Sequence, residues 1–189
     1  VTTVSSQRVH ARPIARRQLL QLGATGALTA VAPRVFAHQA RAPERWLGLY
    51  NLQTGEHLKA VYWVEGQYVP SELQAINYLL RDFRTDEVME IDPKLLDLLY
   101  SLRTTLDSRK SFQVVSGYRS PETNAMLAQH IDRVAKHSYH ILGMAVDVRL
   151  PDRHLEQLWR AALALKRGGV GHYRSSHFVH VDTGPVRSW

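Results

Sequence analysis

His140 and Asp147 stand seven residues apart in HSYHILGMAVDV (137–148), and HFVHVD (177–182) adds His177, His180 and Asp182. An acidic residue after the apolar run MAV has little use in a strand that only packs, whereas a metal site uses both the imidazole and the carboxylate. A catalytic zinc takes three protein ligands at about 2.0–2.2 Å and keeps one position for water or substrate. His140, Asp147 and His180 would form such a His₂Asp set. The chain has no cysteine, which excludes both a thiolate site and a disulfide framework. Any transition-metal site must therefore come from imidazole and carboxylate.

The elements that must position these residues are readable from periodicity. RWLGLYNLQTGEHLKAVYWVEGQYV reads as two strands around a QTGE turn, with aromatic and β-branched residues in each run. PSELQAINYLLRDFR and DPKLLDLLYSLRTTLD carry leucine and isoleucine at helical spacing, with Pro93 at a first turn. SFQVVSGY is a short buried strand, and SPETNAMLAQHIDRVAK a helix with Ser120 or Thr123 as cap. MAVDVRL is a strand, DRHLEQLWRAALALK a helix, and GGVGHY and HFVHVDTG are closing strands. Helices first and then a sheet drawn from the C-terminal half give an α+β single domain. Gly143 is expected to permit the turn that brings His140 back toward Asp147.

At 189 residues, 44% apolar and 22% charged, the chain can bury a core and has globular composition. The formal net charge of +7 invites a nucleic-acid reading, but five arginines (Arg8, Arg12, Arg16, Arg17 and Arg34) lie within residues 1–37, which hold no Lys, Asp or Glu. Removing those five charges leaves +2 for the rest, with no basic stripe interleaved with aromatics, so nucleic acid is not an expected partner. The same segment, ARRQLLQLGATGALTAVAPRVFA, joins Arg16 and Arg17 to a mildly apolar run ending in small residues. It resembles a twin-arginine export signal. The reading is residues 1–37 as signal peptide and 38–189 as the exported domain, with the twin-arginine machinery as a partner and the periplasm as destination. The run, broken by Gly23, Gly26 and Pro33, is too short for a membrane span.

Ser138, His140, Gly143, Ala145 and Asp147 fall on the S-x-H-x-x-G-x-A-x-D signature of the LAS zinc peptidases, a group that includes D-Ala-D-Ala metallopeptidases and the hedgehog domain. SGYRS (116–120) resembles the arginine-bearing segment of the D-Ala-D-Ala branch, and FVHVDTG the segment of the third ligand. LYNLQTGE, YVPSELQAINYLLRDFRT and IDPKLLDLLY are similar to MepK-like murein endopeptidases, so the resemblance runs over roughly 46–189. It implies a LAS/hedgehog-like fold, with helices on a small, mainly antiparallel sheet that carries a zinc site, and catalytic motifs within 116–189. It implies His140, Asp147 and His180 as zinc ligands, Arg119 as the residue that holds substrate or steadies an oxyanion, and His177 as general base.

On a regular strand His180 and Asp182 share a face and His177 points away, so Asp182 stays open as an alternative base or as a carboxylate orienting a ligand histidine. His137 and His172 fit no position of the signature and read as rim or surface residues, and Ser138 as a local hydrogen-bond donor. The implied activity is zinc-dependent cleavage of LD- or DD-crosslinks between peptidoglycan stem peptides. Two alternatives are a D-Ala-D-Ala carboxypeptidase and a non-catalytic zinc-containing module that binds peptidoglycan.

Overall fold

Residues 43–130, 135 and 137–189 are described by a computed structural model. The segment read as an export signal lies outside the described residues, and so does part of the chain after the third helix. Among the described residues no helix is long and apolar enough to cross a membrane.

Strand β1 (Glu44–Asn51) turns through the QTGE segment into β2 (His57–Val64), and the two pair antiparallel. Alternation buries Leu47, Leu49, Ala60 and Tyr62 on one face. A second turn at Glu65 and Gly66, both at positive φ, adds the two-residue β3 (Gln67–Tyr68). Helix α1 (Pro70–Leu79) starts on proline, and α2 (Pro93–Thr105) does so after Asp92, whose side chain accepts the Lys94 N–H at 2.9 Å. Ile76 and Leu79 of α1 and Leu95, Leu96, Leu99 and Leu102 of α2 fill the core against the sheet.

The rest of the chain supplies β4 (Phe112–Ser116), α3 (Pro121–His130), a 3₁₀ turn (Tyr139–Leu142), β5 (Ala145–Arg149), α4 (Leu155–Leu165), β6 (Gly169–Tyr173), β7 (Phe178–Asp182) and β8 (Arg187–Ser188). Of the two caps considered for α3, Ser120 is the one used: its Oγ accepts the Thr123 N–H at 3.1 Å. The eight strands form one sheet in the order β3-β2-β1-β4-β5-β7-β6-β8. Neighbours are antiparallel except β1 with β4 and β6 with β8.

The α+β class and the antiparallel bias therefore hold, but the sheet is larger than expected and is not confined to the C-terminal half. A parallel pairing of Leu49–Asn51 with Phe112–Val114 joins the N-terminal hairpin to it. Such a pairing joins segments some sixty residues apart, which local pattern does not encode. The small strand β8 was likewise not foreseen.

Candidate metal centre

One row of residues crosses the C-terminal half of the sheet. Gly171 on β6 faces His180 on β7, His180 faces Asp147 on β5, and Asp147 faces Ser116 on β4. Directly opposed residues point to the same face, so this register puts His180 and Asp147 side by side. Their neighbours Val146, Val148, Val179 and Val181 alternate to the other face and are buried in the core. A strand that packs with one set of residues thus presents the other set for chemistry.

His140 arrives from the 3₁₀ turn before β5. Ser138 caps that turn, its Oγ accepting the His140 N–H at 3.3 Å; it acts locally, as an acceptor rather than the donor expected. Gly143 ends the turn at φ +67, and a side chain there would also collide with the Glu90 carbonyl. Glycine is needed on both counts. The His140 Nδ1–H donates to the Gly117 carbonyl at 2.6 Å, which leaves Nε2 as an acceptor. His180 is fixed from the opposite side: its Nε2–H donates to Asp182 at 3.0 Å, which leaves Nδ1 as an acceptor.

Three acceptors then converge. His140 Nε2 lies 3.2 Å from His180 Nδ1, and Asp147 Oδ1 lies 2.9 Å from His180 Nδ1 and 3.3 Å from His140 Nε2. All three residues are buried, yet each lines one cavity of about 640 Å³. Lone pairs packed this closely repel unless a cation lies among them. A tetrahedral ion with ligands at about 2.0–2.2 Å sets them about 3.3–3.6 Å apart, close to the triangle found here. The donor set and its dimensions fit a divalent metal.

Charge in the cluster follows from these contacts. Burial works against ionised Asp147, but His140 and His180 outweigh it and hold the carboxyl well below the usual range. Arg119 reinforces this by geometry, Nη2 donating to Asp147 Oδ2 at 2.6 Å while Nε donates to Ser116 Oγ at 2.9 Å. Arg119 thus occupies the carboxylate oxygen that the triangle does not use. Burial keeps His140 below its ordinary value, against the pull of Asp147. Burial also opposes a charge on His180, but the facing carboxylates of Asp147 and Asp182 prevail and raise it.

Asp182 is fully buried and accepts from five donors: the Gly169 and Gly184 N–H groups, both terminal nitrogens of Arg187, and His180. These hydrogen bonds offset its burial and hold its carboxyl low. His177 is not brought to the triangle. It is exposed in the turn before β7, at φ +55, and it does not line the cavity. His137 lines the cavity rim, while His172 stacks on Trp159 with ring centroids 4.7 Å apart, away from it.

Sequence reasoning did not single out the cavity's aromatic wall, where Tyr139, Tyr173, Phe178 and Trp189 stand near the triangle. The Trp189 ring lies 5.2 Å from that of His180, and its Nε1–H donates to the Tyr173 hydroxyl at 2.9 Å. Gly171 leaves room for it, since a side chain there would meet the Trp189 indole.

A family profile described as peptidoglycan L,D-endopeptidase MepK matches residues 39–189. The chain is similar to the peptidoglycan L,D-endopeptidase MepK of Escherichia coli K12, at 43% identity over 175 residues, covering 92% of this chain and 96% of that protein. It is also 39% identical over 176 residues to a probable peptidoglycan L,D-endopeptidase of Haemophilus influenzae, covering 92% and 95%. No solved structure matches.

Proposed function

The chain belongs to the family of MepK peptidoglycan L,D-endopeptidases, and from that membership we propose that its His140–Asp147–His180 triangle is a zinc centre for hydrolysing cell-wall crosslinks. The protein is an enzyme, a peptidoglycan endopeptidase that cleaves peptide crosslinks. Its substrate lies outside the cytoplasmic membrane, so it works in an extracytoplasmic compartment. We assign residues 1–37 to a twin-arginine signal and the periplasm as destination, on the Arg16–Arg17 pair and the apolar run after it.

The observation that carries the zinc reading is the convergence of three acceptors, each fixed by a hydrogen bond on its far side. His140 would bind through Nε2, His180 through Nδ1 and Asp147 through Oδ1. When bound, zinc supplies Lewis acidity, lowering the pKa of water and polarising a carbonyl. The chain's own residues do the rest. Gly117 and Asp182 hold the protons on the far nitrogens of the two imidazoles, which keeps the ligand lone pairs directed inward. Arg119 holds Asp147 and presents positive charge along the cavity wall, where it can steady charge developing on a substrate carbonyl. Asp182, saturated by five donors, is an orienting carboxylate rather than a base. The resemblance assigns the base to His177, and that role requires the surface turn before β7 to rearrange when substrate binds.

The test is a digest of purified peptidoglycan by the protein with zinc, with chelator, and with chelator followed by zinc, with products identified by mass. Zinc-dependent loss of crosslinked dimers is expected. Loss of terminal D-Ala alone, or activity indifferent to chelator, would overturn the reading.

A further inference from the structure

Among the described residues, three guanidinium groups line the cavity: Arg84, Arg119 and Arg187. Two are committed to carboxylates. Arg119 pairs with Asp147 at 2.6 Å, and Arg187 pairs with Asp182 at 2.7 Å. Arg84 differs. Among the described residues its side chain has no carboxylate partner, and its guanidinium carbon lies 4.1 Å from the centre of the Phe83 ring. Only its backbone N–H reaches an acid, donating to Asp82 at 2.9 Å.

The loop that presents Arg84 is firmly tied. Buried Asp82 also accepts the Ser120 N–H at 2.8 Å, joining the loop to the residue after Arg119. The Asp86 N–H donates to the Asp82 carbonyl at 2.8 Å, and the Asp82 N–H to that of Glu87 at 3.0 Å. Arg81 bridges Glu56 at 2.8 Å and Asp86 at 3.2 Å. A planar cation is therefore held on an aromatic face, on an ordered loop, with its donors unspent on any described residue. Among the described lining residues the one carboxylate is Asp147, with one oxygen held by Arg119 and the other in the metal triangle. Among those same described residues Arg84 is thus the positive charge that no carboxylate neutralises.

We propose that Arg84 is a substrate-binding residue that receives a free carboxylate of the peptide stem, and that it makes the enzyme select stems bearing that carboxylate over amidated ones. The proposal rests on the peptidoglycan-peptide reading of this cavity. A guanidinium offers two parallel N–H donors that match both oxygens of a carboxylate. A carboxamide presents one oxygen and an NH₂, and the NH₂ meets the guanidinium donor to donor. Stacking on Phe83 and the ordered loop reduce the freedom lost on binding.

The experiment uses the full chain stripped of metal, so that binding is read without turnover. A crosslinked stem-peptide dimer with free carboxylates and the same dimer carrying carboxamides are titrated by calorimetry into wild type, Arg84→Gln and Arg84→Lys. Wild type should bind the carboxylate dimer about tenfold more tightly than the amidated one, the scale of a charge-assisted hydrogen bond near solvent. Arg84→Gln should bind both alike, and Arg84→Lys should recover part of the preference. With zinc restored, Arg84→Gln should raise KM for the carboxylate dimer with little change in kcat. If Arg84→Gln keeps the wild-type preference, or loses affinity for both dimers by the same factor, the proposal is overturned. A wild type that discriminates between the dimers but cuts neither would contradict the endopeptidase reading and leave the role of Arg84 supported.

Discussion

Asp97 and Asp147 are carboxylates on the two halves of the same sheet, and their surroundings differ in kind. Asp97, on α2 beneath the N-terminal hairpin, accepts from Arg45 at 2.6 Å, from the Tyr62 hydroxyl at 2.9 Å and from the Tyr68 hydroxyl at 2.8 Å. Each of these three partners is a donor. Burial and the adjacent Asp97 raise the Tyr62 phenol, so it stays protonated and keeps donating. Asp147 gives one oxygen to Arg119 and turns the other toward two imidazole nitrogens whose protons are engaged elsewhere. A saturated carboxylate joins elements of the fold, whereas one that faces other acceptors awaits a cation. Hydrogen-bond completeness, more than burial, separates structural from functional acids here.

That contrast can be broken by mutation. The largest effect is expected at the triangle: Asp147→Asn or His140→Ala should abolish both zinc retention and crosslink cleavage, with the far-UV circular dichroism unchanged. Next comes Asp182→Asn, which loosens His180 while leaving all three ligand residues in place. It should weaken zinc affinity by about 10–100-fold, read by competition with a chromophoric chelator. Asp97→Ala should leave zinc content and cleavage intact and lower unfolding free energy by about 1–3 kcal/mol, since it strands the donors of Arg45 and Tyr62. That result in denaturant titration would sharpen the distinction, and lost cleavage in a folded Asp97→Ala protein would blur it.

The smallest effect concerns pH. Asp147 and Asp182 both have folded-state pKa values below their unfolded ones. Each contributes stability above the unfolded value of about 3.9, and that contribution is lost as pH falls through the depressed folded value. The metal-free protein should lose stability on acidification below about pH 4, and Asp182→Asn should flatten that limb.

How much of this was legible in the sequence depends on how local each feature is. The spacing of His140, Gly143 and Asp147 lies within one turn and strand, so the approach of His140 to Asp147 could be anticipated. The first two helices followed from leucine and isoleucine spacing, and α2 also from Pro93 at its first turn. The pairing of His180 with Asp147 is a matter of register between strands more than thirty residues apart, and only the resemblance suggested it. Asp182 illustrates partial legibility. Alternation put it on the face of His180, but its five donors come from Gly169, Gly184, Arg187 and His180, and no spacing rule gathers those. His177 shows the reverse case: a left-handed backbone ends the turn at the residue just before β7, and the side chain that the resemblance sends to the centre lies outside the cavity. Arg84 and Trp189 went unremarked because nothing local marks a side chain as bordering a cavity built from distant segments.

Cleavage depends, on this reading, on an ion held by the three converging acceptors. The most direct measurement is the zinc content and crosslink-cleaving activity of Asp147→Asn beside wild type, purified identically and compared at equal folded concentration. Wild type should carry one zinc per chain and show zinc-dependent cleavage, and the variant should do neither. An Asp147→Asn protein that keeps both its zinc and its activity would contradict this reading.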